Sequence, residues 1–178
     1  MPSSPKGLEA GGHRGMFLSD DLTTQIGTVA LVAQVVDAVS VPVIAAGGIA
    51  DARDVKAALE LGAAGVQAGT AFLLCPQSNT SQVHRQALKS DSACHTALTN
   101  LFSGRPARSI VNRVIREQGP ISSHTPEFPL AATAITALRG VAESTGSSDF
   151  SPLWSGQNNS GCSERSAADV LLSPAADL

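Results

Sequence analysis

The chain has no tyrosine, and its 178 residues include only five phenylalanines and one tryptophan. A core with so few aromatics must be packed by small and branched aliphatic side chains. Alanine, leucine and valine dominate the apolar residues, which suits α/β packing. Charge is scarce too: 15% of residues are charged and the net charge is −3, with a pI near 5.7. That balance excludes a basic nucleic-acid surface. No apolar run approaches the roughly 20 residues a membrane helix needs, and the first residues are polar, unlike a secretory leader. Cys75, Cys94 and Cys162 are odd in number, widely spaced and without metal-ligand spacing. They read as reduced thiols of a cytoplasmic protein, and no metal site is expected. GxSxG, HExxH, CxxC and GxGxxG are all missing, as is any recognisable acid pair.

What is present centres on residues 41–70, VPVIAAGGIADARDVKAALELGAAGVQAGT. Val41 to Ala46 is a short β-branched apolar run that stops at Gly47-Gly48, as a strand buried on both faces does. Asp51 is a natural N-cap, and Asp54 sets a second carboxylate in the first turn. Val55, Ala58 and Leu59 recur at helical spacing, and Gly62 stands where a left-handed terminal residue belongs. A second strand, Ala64 to Ala68, ends at Gly69-Thr70. Two parallel strands joined by one helix point two glycine loops at the same end of a sheet. Glycine admits close backbone approach, and amides in such loops hold phosphate oxygens, as after the last two strands of (β/α)8 barrels. The same glycines also serve plain tight turns, so both readings stand on these residues alone.

Around this unit the pattern is less regular. Residues 1–6 (MPSSPK) open without structure, and GLEAGGHRG (7–15) looks like a strand end and its loop with no apolar strand before it. Asp21 to Val39 predicts one helix, with Ile26, Val29, Val32, Val36 and Val39 as its apolar stripe and Asp21 or Thr23 as its cap. After Leu74 the pattern changes: Pro76 to Thr80 is a loop, and helices are predicted over 81–88, 93–101 and 108–118. FSGRPA (102–107) is a turn, and a further helix follows Phe128-Pro129 to about Val141. SDFSPLWSGQ (148–157) is the one apolar anchor in a Ser/Gly/Asn-rich tail.

His13 is the histidine in a glycine-rich loop beside a strand end, where (β/α) folds keep reactive groups. An imidazole there can take a proton near neutral pH, although a merely polar role fits its position equally. His84, His95 and His124 have no partner pattern and read as surface residues. Arg108, Arg113 and Arg116 either meet an anion or form a solvated basic face, the second being simpler. Glu9 either orients His13 or solvates backbone, the second being simpler. Arg14 either holds an anion or covers its loop, and Cys75 is a buried small hydrophobe.

EAGGHRG (9–15), residues 31–73, FSGRPARSIVNRVIRE (102–117) and DFSPLWSGQ (149–157) together resemble the nitronate monooxygenases, in the family's own order. The resemblance implies the C-terminal part of a TIM-type (β/α)8 barrel of the α/β class. Residues 1–74 would carry the flavin-phosphate loops and 75–178 a mainly helical segment. It also implies FMN as cofactor, and oxidation of alkyl nitronates or nitroalkanes by O2 to a carbonyl compound and nitrite. Carried over by residue, His13 is the active-site histidine and Gly11 and Gly12 pack near the flavin. Gly47, Gly48, Gly69 and Thr70 bind its phosphate. Flavin-type enoyl-ACP reductases share the AGGH and AAGGIA segments, while Arg14 and DFSPLWSGQ favour the monooxygenase. The barrel strands that precede EAGGHRG in the family have no counterpart here. The expectation is therefore a fragment, a truncated product or half of a divided protein, with open barrel edges inviting self-association. The alternative is a non-catalytic remnant.

Overall fold

A computed structural model describes residues 5–16 and 18–173. The chain forms two compact units. The first comprises the described residues of 1–10, 15–78 and 156–178, and the second 11–14 and 79–155.

The first unit is the β-α-β element that the central stretch predicts. Strand β2 (Ile44–Ala46) lies parallel to β3 (Gly65–Gln67), and α2 (Ala52–Glu60) joins them. Asp51 caps α2 through a full capping box: its carboxylate accepts from Arg53 and Asp54 N–H, while Asp54 accepts from the Asp51 N–H. Gly62 ends the helix at φ 91°, where an added Cβ would lie 2.8 Å from Val36 Cγ1, so only glycine fits. Val32, Ala45, Ile49, Val55, Ala58 and Ala63 form the core between helices and strands. The strands are shorter than the sequence suggests, and β3 is not buried on both faces, since Gln67 is exposed.

Two expectations in this unit fail for identifiable reasons. The helix predicted over 21–39 is a 3-10 turn, Leu22–Thr24, capped by Asp21, followed by α1 (Thr28–Ala38). Gly27 breaks the run between them, and only Val32 of α1 is buried, while Val29 is 65% exposed. Glu9 supplies the cap of α1 from a distant segment: its carboxylate accepts from Thr28 N at 2.9 Å and Thr28 Oγ1 at 2.7 Å. A side-chain cap of this kind contributes about 1 kcal/mol. The opening segment is also not structureless throughout. Lys6 bridges Ala46 in parallel, with Gly7 N donating to the Ala46 carbonyl and Ala46 N to the Pro5 carbonyl. Strand β2 therefore has neighbours on both sides, and residues 1–4 lie outside the described residues. Farther along, α6 (Ala167–Leu172) sets Val170 against Ala71 and Cys75.

The second unit holds an antiparallel sheet in the order β1 (Gly12–His13), β5 (Ala107–Ile110), β4 (Thr96–Thr99). The segment after residue 75 is thus not simply helical. In place of the helix predicted over 93–101 stand a 3-10 turn, Asp91–Cys94, and β4. In place of the helix over 108–118 stand β5 and a short α4 (Arg113–Gln118). All four residues of β5 are buried, so Arg108 is not on a solvated face; its guanidinium donates to Thr96 Oγ1 at 3.1 Å. The helices α3 (Gln82–Leu88) and α5 (Leu130–Ser144) fall where predicted. The SPLW segment runs beside β5, with Leu153 only 1% exposed, and is the anchor the sequence suggests. Among the described residues no helix is long and apolar enough to cross a membrane.

Candidate functional site

Because Ala46 pairs with Gln67, the glycines that follow each strand emerge at the same end of the parallel pair. Gly47 and Gly48 adopt φ of 122° and 70°, a backbone that favours glycine. Their carbonyls are tied down: Thr28 Oγ1 donates to Gly47 O at 3.0 Å, and Asn158 Nδ2 donates to Gly48 O at 2.9 Å and to Asp54 at 3.1 Å. Gly69 precedes a 3-10 turn, Thr70–Phe72. Thr70 Oγ1 accepts from Gly156 N at 2.9 Å, and the Cys162 thiol donates to the Thr70 carbonyl at 3.0 Å. Burial, with Cys75 adding to it, pushes the Cys162 thiol up to about 11, so it stays a neutral donor.

The fit of these loops to an anion follows from what they leave unused. The carbonyls of Gly47, Gly48, Gly69 and Thr70 are engaged; the parallel pairing of Ala46 with Gln67 turns the Gly47 N–H to the Gln67 carbonyl, whereas no acceptor among the described residues meets the N–H groups of Gly48, Gly69 and Thr70. At Gly69 an added Cβ would meet nothing within 4 Å. Fixed amide donors beside open space suit phosphate oxygens. Glu9, Thr28 and Asn158, which brace these loops, were not legible as site residues, because each reaches its partner across many residues of chain. Glu9 is a backbone-solvating group, as its simpler reading had it, on Thr28.

Gly11, Gly12 and His13 belong to the second unit. Gly12 has φ 69° and pairs with Arg108, and His13 pairs with Ala107, so the histidine sits on a short strand rather than in a loop. Its ring is exposed, and Nε2 lies 2.8 Å from Ser103 Oγ. Ser103 Oγ also lies 3.1 Å from the Arg105 carbonyl, to which its hydroxyl can donate, and accepts from Arg105 N at 3.3 Å. Either Nε2–H donates to Ser103 Oγ or the Ser103 hydroxyl donates to Nε2, according to the tautomer. Trp154 lies against the imidazole at 5.4 Å between centroids and Phe128 meets it edge-on at 6.4 Å. Arg105 stands over Phe128 at 5.5 Å. Of these neighbours the sequence marked only their segments, FSGRPA, Phe128-Pro129 and SPLW. Arg14 is buried, and its N–H donates to the Pro106 carbonyl.

His84 overturns its reading as a surface residue. It is half-buried on α3, and Nε2 is shielded with no hydrogen-bond partner among the described residues. Burial lowers its pKa from the ordinary value, while a hydrogen bond to the Trp154 backbone acts the other way. The unfolded chain therefore binds the proton more readily than the folded one. The stabilising contribution of the neutral ring is complete above about pH 6.5 and is lost as pH falls below it. Denaturant midpoints measured at about pH 7.5 and 5.5 should fall with acidification, and His84→Asn should reduce that fall.

Residues 5–174 match the nitronate monooxygenase family. The chain is 45% identical over 167 residues to a probable nitronate monooxygenase of Bacillus subtilis, covering 94% of this chain and 48% of that protein. It is 45% identical to a nitronate monooxygenase of Pseudomonas aeruginosa, covering 93% of this chain and 48% of that protein. Among solved structures, nitroalkane oxidase from Streptomyces ansochromogenes superposes with a TM-score of 0.88 at 37% identity, covering 99% of this chain and 51% of that one. FabK from Thermotoga maritima superposes at 0.71 with 27% identity, covering 99% and 53%. The described residues are α/β, and these relatives are named as monooxygenases and an oxidase. It spans about half the length of the curated relatives it matches. The chain belongs to the nitronate monooxygenase family.

Proposed function

We propose that this chain carries the phosphate loops and the proton-handling histidine of an FMN-dependent (β/α)8 enzyme that oxidises alkyl nitronates or nitroalkanes with O2 to a carbonyl compound and nitrite. The observation that carries the reading is the pair of glycine loops at one end of the parallel strands, their carbonyls braced and the amides of Gly48, Gly69 and Thr70 unspent. Gly48, Gly69 and Thr70 would hold the FMN phosphate on backbone N–H groups beside Gly47, and Gly11 and Gly12 would pack near the flavin. FMN, when bound, supplies the electron acceptor that returns to its oxidised form with O2.

His13 does the work of this chain on the substrate. The Ser103 hydroxyl holds the ring through Nε2, and the imidazole would act as base toward the α-carbon proton of a neutral nitroalkane. Once protonated, the imidazolium is the counter-charge for the nitronate. The likeness to nitroalkane oxidase exceeds that to FabK in both identity and superposition, which favours nitro compounds as substrates. The test is oxygen uptake by the FMN-loaded protein on addition of an alkyl nitronate, with nitrite measured in parallel. Uptake with nitrite formation is expected; a loaded protein that consumes no oxygen would overturn the proposal.

A further inference from the structure

The arginines of residues 108–116 part company in the fold. Arg108 is buried in β5 against Thr96 Oγ1. Arg113 is spent on Glu117, Nε to Oε1 at 2.7 Å, and its guanidinium stands over Phe150. Arg116 is exposed, makes no ion pair or side-chain hydrogen bond among the described residues, and lines a cavity of about 400 Å³. Asp149 lines the same cavity. Its carboxylate accepts no hydrogen bond among the described residues, and Arg113 attracts it only through space. Buried Asn112 fixes both groups in one frame. Its Nδ2 donates to the carbonyls of Ser148 at 2.9 Å and Ser151 at 3.0 Å, and its Oδ1 caps α4 by accepting from Ile115 N. Arg116 N donates to the Asn112 carbonyl at 3.1 Å, and Val114 N donates to the Asp149 carbonyl at 3.2 Å. The two charged residues therefore stand on backbone segments in direct contact, yet no ion pair joins them among the described residues. Val83, Ala87 and Leu153, all buried, give the cavity an apolar wall.

A volume of this size falls in the range of small-molecule sites, about 300–1,000 Å³. One unspent charge of each sign beside an apolar wall complements a ligand that carries both charges and an aliphatic body. A plain anion would meet the Asp149 carboxylate at close quarters, and a plain amine the Arg116 guanidinium, each a like-charge contact. We propose that this cavity binds an α-amino acid with an aliphatic side chain: its carboxylate on Arg116, its ammonium on Asp149 and its side chain against Val83, Ala87 and Leu153. A guanidinium suits the first contact, because its fork of N–H groups matches the two oxygens of a carboxylate. The short spacing between the charges of an α-amino acid suits anchors held on adjoining backbone. None of these residues takes part in the flavin chemistry proposed above, and the cavity lies wholly within the second unit.

Calorimetric titration of the full chain with L-leucine, 4-methylpentanoate and 3-methylbutylamine tests the site, since the three share one aliphatic body and differ only in charge. L-Leucine should bind at least about tenfold more tightly than either analogue. Arg116→Gln should weaken L-leucine by about tenfold without weakening the amine, and Asp149→Asn should weaken L-leucine by about as much without weakening the pentanoate. Neither substitution removes a side-chain hydrogen bond among the described residues, so both variants should keep the thermal midpoint of the unliganded protein. Should a variant fail to fold, the comparison of the three compounds on the unsubstituted protein still decides. No binding of L-leucine at millimolar concentration would overturn the proposal. So would equal affinity for all three compounds, or folded variants that bind L-leucine as tightly as the unsubstituted protein.

Discussion

His13→Asn is expected to lower turnover of a neutral nitroalkane by about 10²–10⁴-fold, the usual worth of a general base, and to leave flavin content unchanged. The ring is exposed and sits on a strand of two residues, so its loss opens no core cavity. The pairing of β1 with β5 is made by backbone and survives the substitution. A preformed nitronate needs no proton removed, so its oxidation should suffer less. The comparison is made by oxygen uptake on both substrates over a range of pH. Equal losses on both would mean that His13 orients the anion and is not a base.

Gly69→Val should weaken FMN binding by at least about tenfold, or ~1.4 kcal/mol, without lowering the thermal midpoint of the flavin-free protein. Gly69 is a cleaner probe than the glycines of the other loop. At Gly48, with φ 70° and an added Cβ 3.3 Å from Glu9 Cβ, a side chain strains the protein whether or not a ligand binds. At Gly69, φ is −117° and the space is open, so the protein itself tolerates valine and only an approaching ligand is obstructed. Flavin content that survives dialysis in Gly69→Val would count against the loop as a phosphate site.

Local signals were readable wherever the physics is local. Asp51 with Asp54 marked the start of α2, and Gly62 marked its end, because caps act within one turn. The same habit misled at residues 21–39, where an apolar stripe continues across Gly27 although the backbone does not stay helical. Residues 93–101 and 108–112 alternate too weakly to announce strands; β4 and β5 form because they pair with each other and with β1. Arg108 and His84 were misplaced for one reason: nothing in their neighbours along the chain shows that the fold buries them. Glu9 on Thr28 and Asn158 on Gly48 are contacts across 19 and 110 residues, beyond any short-range pattern.

The most direct test of the account is a comparison of FMN with riboflavin, which lacks the phosphate. Titrating the flavin-free protein with each, and following the visible band near 450 nm (about one flavin per chain at saturation), gives two dissociation constants. If the amides of Gly48, Gly69 and Thr70 hold the phosphate, FMN should bind at least about tenfold more tightly than riboflavin, and Gly69→Val should narrow the difference. Equal affinity for the two flavins, unchanged by Gly69→Val, would contradict it.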